Sequence, residues 1–145
     1  MAMNSLTLIH RNIGDKEAQD LSLNPHLTSL ELSYNNITDE GVKTLVLNPH
    51  LTSLNLMNNH ITDEGAKILA LNTSLTSLDI RANPIGDEGV KVLNEMNDNR
   101  TAYNTQMKQL LMSFEPITKD VSEHILFPYL HLKPIKIMAN NRCID

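Results

Sequence analysis

The sequence repeats itself every 24 residues. Three segments open with Leu-Thr-Ser-Leu at Leu27, Leu51 and Leu75, and stepping back one period brings a weaker copy into register from Met3. The four units are 3-26, 27-50, 51-74 and 75-98. Units this short cannot each enclose a core, so each buries its apolar face against its neighbours. We therefore expect a solenoid.

Each unit begins with the pattern of a strand that has one buried face. Around Leu30 and Leu32, apolar and polar residues alternate, which directs the two leucines inward. An asparagine follows each strand, at Asn35, Asn59 and Asn83. Because buried peptide groups must be paired, we expect these amides to form a ladder that bonds the backbone of the turns.

The second half of each unit has the pattern of a short helix. Thr38, Thr62 and Gly86 precede Asp-Glu-Gly, where threonine can cap the free amides and the acidic pair meets the positive end of the helix dipole. Capping therefore explains the paired carboxylates better than acid-base or metal chemistry does. A glycine such as Gly41 in the first helical turn indicates close packing between stacked units.

The pattern Leu-x-x-Leu-x-Leu-x-x-Asn followed by a helical half resembles the leucine-rich repeat. The helical half is most similar to that of the ribonuclease-inhibitor-like subtype. The Leu-Thr-Ser-Leu opening resembles the short leucine-rich-repeat effectors that intracellular bacterial pathogens inject into host cells. This resemblance implies an α/β solenoid: a right-handed arc with a parallel sheet on the concave side, helices on the convex side and a helical C-terminal cap.

The period stops after Asp98, which divides the chain into repeats at 1-98 and a helical cap with a tail at 99-145. The segment from Ala102 to Phe114 has the apolar stripe of a helix, and Thr118 can cap a second helix. We expect 99-132 to cover the apolar end of the last repeat. The first repeat deviates as well, which indicates an N-terminal cap.

Composition excludes several classes of function. Twelve Lys and Arg against 17 Asp and Glu disfavour nucleic acid as a partner. A single cysteine excludes an internal disulfide and a thiolate metal site. No apolar run suits a Sec signal peptide or a membrane span, so we expect a cytoplasmic protein without a membrane partner. An effector of this kind would reach the host cytosol by a route other than Sec.

Catalytic motifs are absent from the sequence. His26 and His50 share one column of the repeat, and His124 and His131 lack a zinc-ligand spacing. We therefore expect no enzyme activity, no cofactor and no metal. A monomer, or a heterodimer with a partner, is the expected state.

The positions that differ between repeats lie beside the inward leucines, on the face expected to be concave. Their mixture of acidic, amide, apolar and aromatic side chains suits protein recognition. The predicted contact residues are Thr7, Ile9, His10, Glu31, Ser33, Tyr34, Asn55, Met57, Asn58, Asp79 and Arg81.

Two functional hypotheses remain open at this stage. The first is a non-catalytic binding module, a bacterial effector that regulates or inhibits a host protein or another bacterial effector, an enzyme being one candidate. The second is an adaptor that recruits substrates to a host ubiquitin ligase, because residues 116-130 are loosely similar to the helical core of an F-box.

Overall fold

The computed structural model of the chain describes residues 4–113, 136–139 and 142–144. Strands and helices alternate along these residues, and the strands form one sheet in the order β1 to β6. The elements are β1 (Ser5–Thr7), α1 (Asp15–Ser22), β2 (Ser29–Glu31), α2 (Asp39–Leu45), β3 (Ser53–Asn55), α3 (Asp63–Ala70), β4 (Ser77–Asp79), α4 (Asp87–Ser113), β5 (Lys136–Ala139) and β6 (Arg142–Ile144). None of the described helices has the length and apolar character of a membrane-spanning segment.

The register of the sheet follows the sequence period. Strands β1 to β4 are parallel, and each residue pairs with the residue 24 positions further on, as Leu30 does with Leu54 and Leu54 with Leu78. These leucines are buried together with Leu32, Leu56 and helical residues such as Leu45. The predicted α/β solenoid of parallel strands and helices is confirmed.

The helix starts are stabilised within each unit and between units. As predicted, the hydroxyl of Thr38 accepts the Glu40 amide hydrogen bond at 3.3 Å. In addition, the Asp15 carboxylate of the preceding unit accepts bonds from the Thr38 amide at 2.8 Å, the Thr38 hydroxyl at 2.7 Å and the Gly41 amide at 3.0 Å. Each such aspartate therefore caps the helix that follows its own.

The same bond recurs along the array. Asp39 accepts from the amide of Thr62 at 2.9 Å and from its hydroxyl at 2.6 Å. Asp63 accepts from the amides of Gly86 at 2.6 Å and Gly89 at 3.2 Å. Because the charge lies at a helix N-terminus that belongs to another unit, the helix dipole stabilises the stacking of the units.

This stacking explains the glycine in the first helical turn. A Cβ atom at Gly41, Gly65 or Gly89 would come within 2.3 to 2.7 Å of the aspartate oxygen of the preceding unit. The same Cβ would also meet an isoleucine methyl group of its own unit at 2.5 to 2.7 Å. The predicted close packing between units is therefore confirmed, and its contact atoms are identified.

The first unit starts its helix in another way. Glu17 stands where later units have glycine, and its carboxylate accepts the Gly14 amide hydrogen bond at 2.9 Å. This bond holds the pKa of Glu17 below its ordinary value. At the equivalent position of the later units, such as Gly41, a side chain would collide with the aspartate of the preceding unit.

The asparagine ladder is present as predicted. The Asn59 amide group donates to the carbonyls of Leu32 at 3.0 Å and Leu56 at 3.1 Å. Its side-chain oxygen accepts from the Ile37 amide at 3.0 Å. A second asparagine column, which the sequence analysis missed, bonds the turn after each helix, as Asn48 does with the carbonyl of Asn24 at 2.9 Å.

The end of the array differs from the sequence expectation in its secondary structure. Helix α4 is continuous from Asp87 to Ser113, so the expected boundary at Asp98 falls inside a helix. No proline occurs between Pro84 and Pro116 to stop it. Strand β5 pairs parallel with β4, and β6 pairs antiparallel with β5, although no strand was predicted there. The second predicted helix, from Thr118, lies outside the described residues.

One leucine column is exposed. Leu23 and Leu47 are 76% exposed and Leu71 is 83% exposed, each just after its helix. The repeat frame places Leu23 in register with these residues and does not give the direction of its side chain. The period alone cannot separate inward from outward leucines, because both recur every 24 residues.

We expect Gly65→Ala to destabilise the protein by about 1–3 kcal/mol, because its Cβ would meet an Asp39 oxygen at 2.3 Å and displace it from Thr62. The gain of about 1 kcal/mol in helix propensity does not offset this overlap. Urea unfolding measures the change. Gly14→Ala is the control, since its Cβ would meet only the flexible Glu17 side chain, at 3.3 Å. Equal effects of the two substitutions would contradict this packing.

The two leucine columns also make a matched pair. Leu45→Ala should cost about 2–5 kcal/mol, because Leu45 is 1% exposed and its loss leaves a cavity. Leu47→Ala, two residues on, should change the free energy of unfolding by less than about 0.5 kcal/mol. Chemical denaturation of both variants tests the assignment, and a large loss for Leu47→Ala would show that this column is covered.

Candidate functional site

The positions that vary between repeats form a continuous column on the outward face of the sheet. The strand register pairs Thr7 with Glu31, Glu31 with Asn55 and Asn55 with Asp79. The same register aligns an unvarying serine column at Ser5, Ser29, Ser53 and Ser77. We call this sheet surface, with the turn residues that follow it, the concave face.

A shallow groove of about 260 Å³ lies on the concave face. Two carboxylates, an amide, two hydroxyl groups and the adjoining leucine positions line it: Glu31, Ser53, Leu54, Asn55, Ser77, Leu78 and Asp79. Its polar groups outnumber its apolar ones, so the groove suits a polar side chain better than a hydrocarbon ligand.

Glu31 and Asn55 are linked across the strands. One Glu31 carboxylate oxygen accepts the Ser33 amide hydrogen bond at 3.0 Å, and the other accepts from the Asn55 side-chain amide at 2.8 Å. The Asn55 oxygen in turn accepts from the Met57 amide at 2.9 Å. These bonds hold both side chains in defined positions at the surface, which lowers the entropy cost of binding.

Asp79 and Arg81 form an ion pair within one strand end. Arg81 donates from Nη2 to Asp79 at 2.6 Å and from Nε to the other Asp79 oxygen at 3.0 Å. These bonds hold the pKa of Arg81 above its ordinary value. The sequence predicted separate partner contacts at Asp79 and Arg81, whereas the structure joins the two side chains in one ion pair.

A second variable column, formed by Ile9, Ser33, Met57 and Arg81, follows the strands. Its residues differ widely in exposure. Ile9 is 43% exposed, and Met57 and Arg81 are half-buried. Ser33 is only 4% exposed, and its carbonyl accepts from the His10 amide at 3.3 Å. Ser33 therefore offers a partner almost no surface, although its sequence position is equivalent to that of Arg81.

The third variable column has an unusual backbone. His10, Tyr34, Asn58 and Ala82 all have φ between 53° and 57°, the left-handed region. The sequence did not reveal this, because Tyr34 and Ala82 are residue types that rarely adopt this conformation. The turn carries its side chains onto the rim of the concave face, where the His10 and Tyr34 rings stack with centroids 4.4 Å apart.

The acidic residues on the helix side are engaged in structure. Lys67 forms ion pairs with Glu64 at 2.9 Å and Glu88 at 3.0 Å, and these hold its pKa above the ordinary value. Lys43 pairs with Glu40. No three His, Cys, Asp or Glu side chains of the described residues come together in a metal-binding arrangement.

Comparison with known proteins gives the family of the repeats. The family model described as "Leucine Rich repeat" matches residues 23–46, 47–70 and 71–93. Residues 23–93 of this chain are leucine-rich repeats. The matched repeats contain strands β2, β3 and β4. They also contain the bonded residues Asp39, Asp63 and Asn59. The comparisons indicate no enzyme family, and a search of curated protein sequences gives no match.

A solved structure also resembles the leucine-rich-repeat array. It is "Leiomodin-1 Actin-Binding Site 2 (ABS2)", with a TM-score of 0.52 and 22% sequence identity. The match covers 71% of this chain and 66% of that one, slightly less than two thirds of its length. At this identity the likeness concerns the fold alone.

The left-handed backbone at Ala82 predicts that a glycine substitution there stabilises the protein. Ala82→Gly should stabilise the protein by about 0.5–1 kcal/mol, because glycine adopts φ near 56° without the steric cost that alanine carries. The control Ala70→Gly, in α3, should destabilise by up to about 1 kcal/mol. Thermal unfolding of both variants measures the contrast. Destabilisation by Ala82→Gly would contradict the left-handed rim.

Proposed function

We propose that this chain is a non-catalytic protein-binding module that uses its concave face to bind and regulate a partner protein. The observation that carries the proposal is that the side chains that hold the units together and the side chains that vary between units occupy different positions. The recurring aspartate and asparagine columns bond adjacent units together. The varying strand residues Glu31, Asn55 and Asp79 instead line up side by side on one partly exposed face of the sheet.

The chemistry of that surface supports a protein partner. Tyr34 is 39% exposed and stacks on His10, so a large ring is already ordered at the rim before binding. Aromatic residues, methionine and arginine carry much of the energy of protein interfaces. The concave face has each of these types in Tyr34, Met57 and Arg81, with polar groups around them.

The proposal extends to regulation by masking. When the concave face covers part of a partner, other molecules can no longer reach that part. If the partner is an enzyme and its active site is covered, the enzyme is inhibited. The resemblance of the repeats to bacterial effectors makes a host protein or another bacterial effector the proposed target, inside the host cytosol. The actin-binding name of the structural neighbour belongs to that protein and does not indicate actin here.

The adaptor hypothesis has less support. Residues 116–130, which loosely resemble an F-box helix, lie outside the described residues. The described array offers an interaction face and no feature specific to a ubiquitin ligase. We therefore retain the concave binding module as the proposed function.

Binding by matched variants tests this function. With a captured partner, Tyr34→Ala and Arg81→Ala should each weaken binding by about 2 kcal/mol or more if they are interface hot spots. Lys43→Ala is the control, because it also removes a cation from an ion pair but lies on the helix side. Calorimetric titration of each variant gives the affinities.

Two results would count against the concave face. In the first, Tyr34→Ala and Arg81→Ala both bind the partner with full affinity, whereas Lys43→Ala binds it more weakly. The other is protection from hydrogen exchange by the partner in α2 and α3 without protection of β2 to β4. Either result would move the interface to the helix side.

A further inference from the structure

We infer that the partner segment that crosses the concave face presents a lysine or arginine whose cationic group binds beside Glu31. This inference rests on the concave-face function proposed above and adds the chemistry of the partner. Its basis is a carboxylate that the fold holds in position in a polar groove and that forms no ion pair with the described residues.

The Glu31 carboxylate accepts hydrogen bonds from neutral donors within the part of the chain that the structure describes. It accepts from the Ser33 amide at 3.0 Å and the Asn55 side chain at 2.8 Å, and both donors are neutral. None of the ion pairs among the described residues includes Glu31. The two bonds orient the carboxylate while its negative charge remains available to a partner.

Arg81 is engaged by Asp79, and Lys136 lies on a distant strand. Arg81 directs Nε and Nη2 to Asp79, which neutralises the second carboxylate of the groove. Lys136 takes the register position beside Ser77 in β5, three strands from Glu31. Strands lie about 4.8 Å apart and residues about 3.3 Å apart along a strand, which places that backbone position about 16 Å from that of Glu31.

The groove can receive the end of a cationic side chain. Its volume of about 260 Å³ is bounded by Ser53, Asn55 and Ser77 beside the two carboxylates. The hydroxyl and amide oxygens are acceptors, and an ammonium or guanidinium group offers only donors. Glu31 therefore supplies the charge, and its neighbours can accept the remaining N–H bonds.

The charge of the whole array favours the same partner. Residues 1–99 contain six basic and thirteen acidic residues. A negative field of this kind draws a basic segment toward the surface and repels an acidic one. Charge complementarity thus agrees with the local geometry at Glu31, and it disfavours an acidic peptide as the occupant.

Titration of the ¹⁵N-labelled full chain with hexalysine at low salt tests the inference. We expect amide shifts at Glu31, Tyr34 and Asn55, and none with hexaglutamate. Glu31→Gln should raise the dissociation constant about fivefold or more, because it removes the charge but keeps the shape. Glu40→Gln, which removes the same charge from α2, should change it less than about twofold. Unchanged melting temperatures would exclude a loss of fold.

Hexalysine shifts confined to Glu64, Glu88 and their helix-side neighbours would overturn the inference, as would equal effects of Glu31→Gln and Glu40→Gln. Preferential binding of hexaglutamate would overturn it as well. These results would leave the concave-face function standing, because that function is tested separately with Tyr34→Ala, Arg81→Ala and the captured partner.

Discussion

The structure depends on one kind of bond, a side chain that reaches into the neighbouring unit and binds its backbone. Asp39 does this at the start of the next helix, and Asn59 does it in the turn of the previous unit. Asn59 satisfies the buried Ile37 amide, and leaving such a group without a partner costs about 1–3 kcal/mol. Asp39 adds charge-assisted bonds at a more exposed helix start. Stacking therefore satisfies polar groups as well as burying leucines.

This division of roles connects the fold to the proposed function. The aspartate, glycine and asparagine columns are constrained because each touches the adjacent unit at close range. The outward strand positions, such as Glu31 and Asp79, bond the neighbouring unit through their backbone carbonyls, so their side chains can differ without disturbing the stack. An array of this kind can change its binding surface while its scaffold stays constant.

Sequence reasoning predicted the periodic part of the structure well, including the strands, the threonine caps and the asparagine ladder. Those features are local or repeat every 24 residues, so a single unit specifies them. It missed the aspartate bond between units, the left-handed rim at Tyr34, the burial of Ser33 and the exposed column of Leu23. The aspartate bond, the burial of Ser33 and the exposure of Leu23 depend on where neighbouring units lie in space, which residue type and spacing do not encode. The left-handed rim was missed because tyrosine rarely adopts that conformation. Strands β5 and β6 fall outside the period, which gave no signal for them.

The most direct test of this account compares Asp39→Ala with Glu40→Ala by equilibrium unfolding and amide hydrogen exchange. The two changes remove the same charge from adjacent residues at one helix start. We expect Asp39→Ala to cost about 2 kcal/mol and to speed exchange at the Thr62 amide in the next unit. Glu40→Ala, which breaks only a surface ion pair with Lys43, should cost less than about 1 kcal/mol and leave Thr62 protected. Equal costs and an unchanged Thr62 amide would contradict the claim that bonds between units hold the array together.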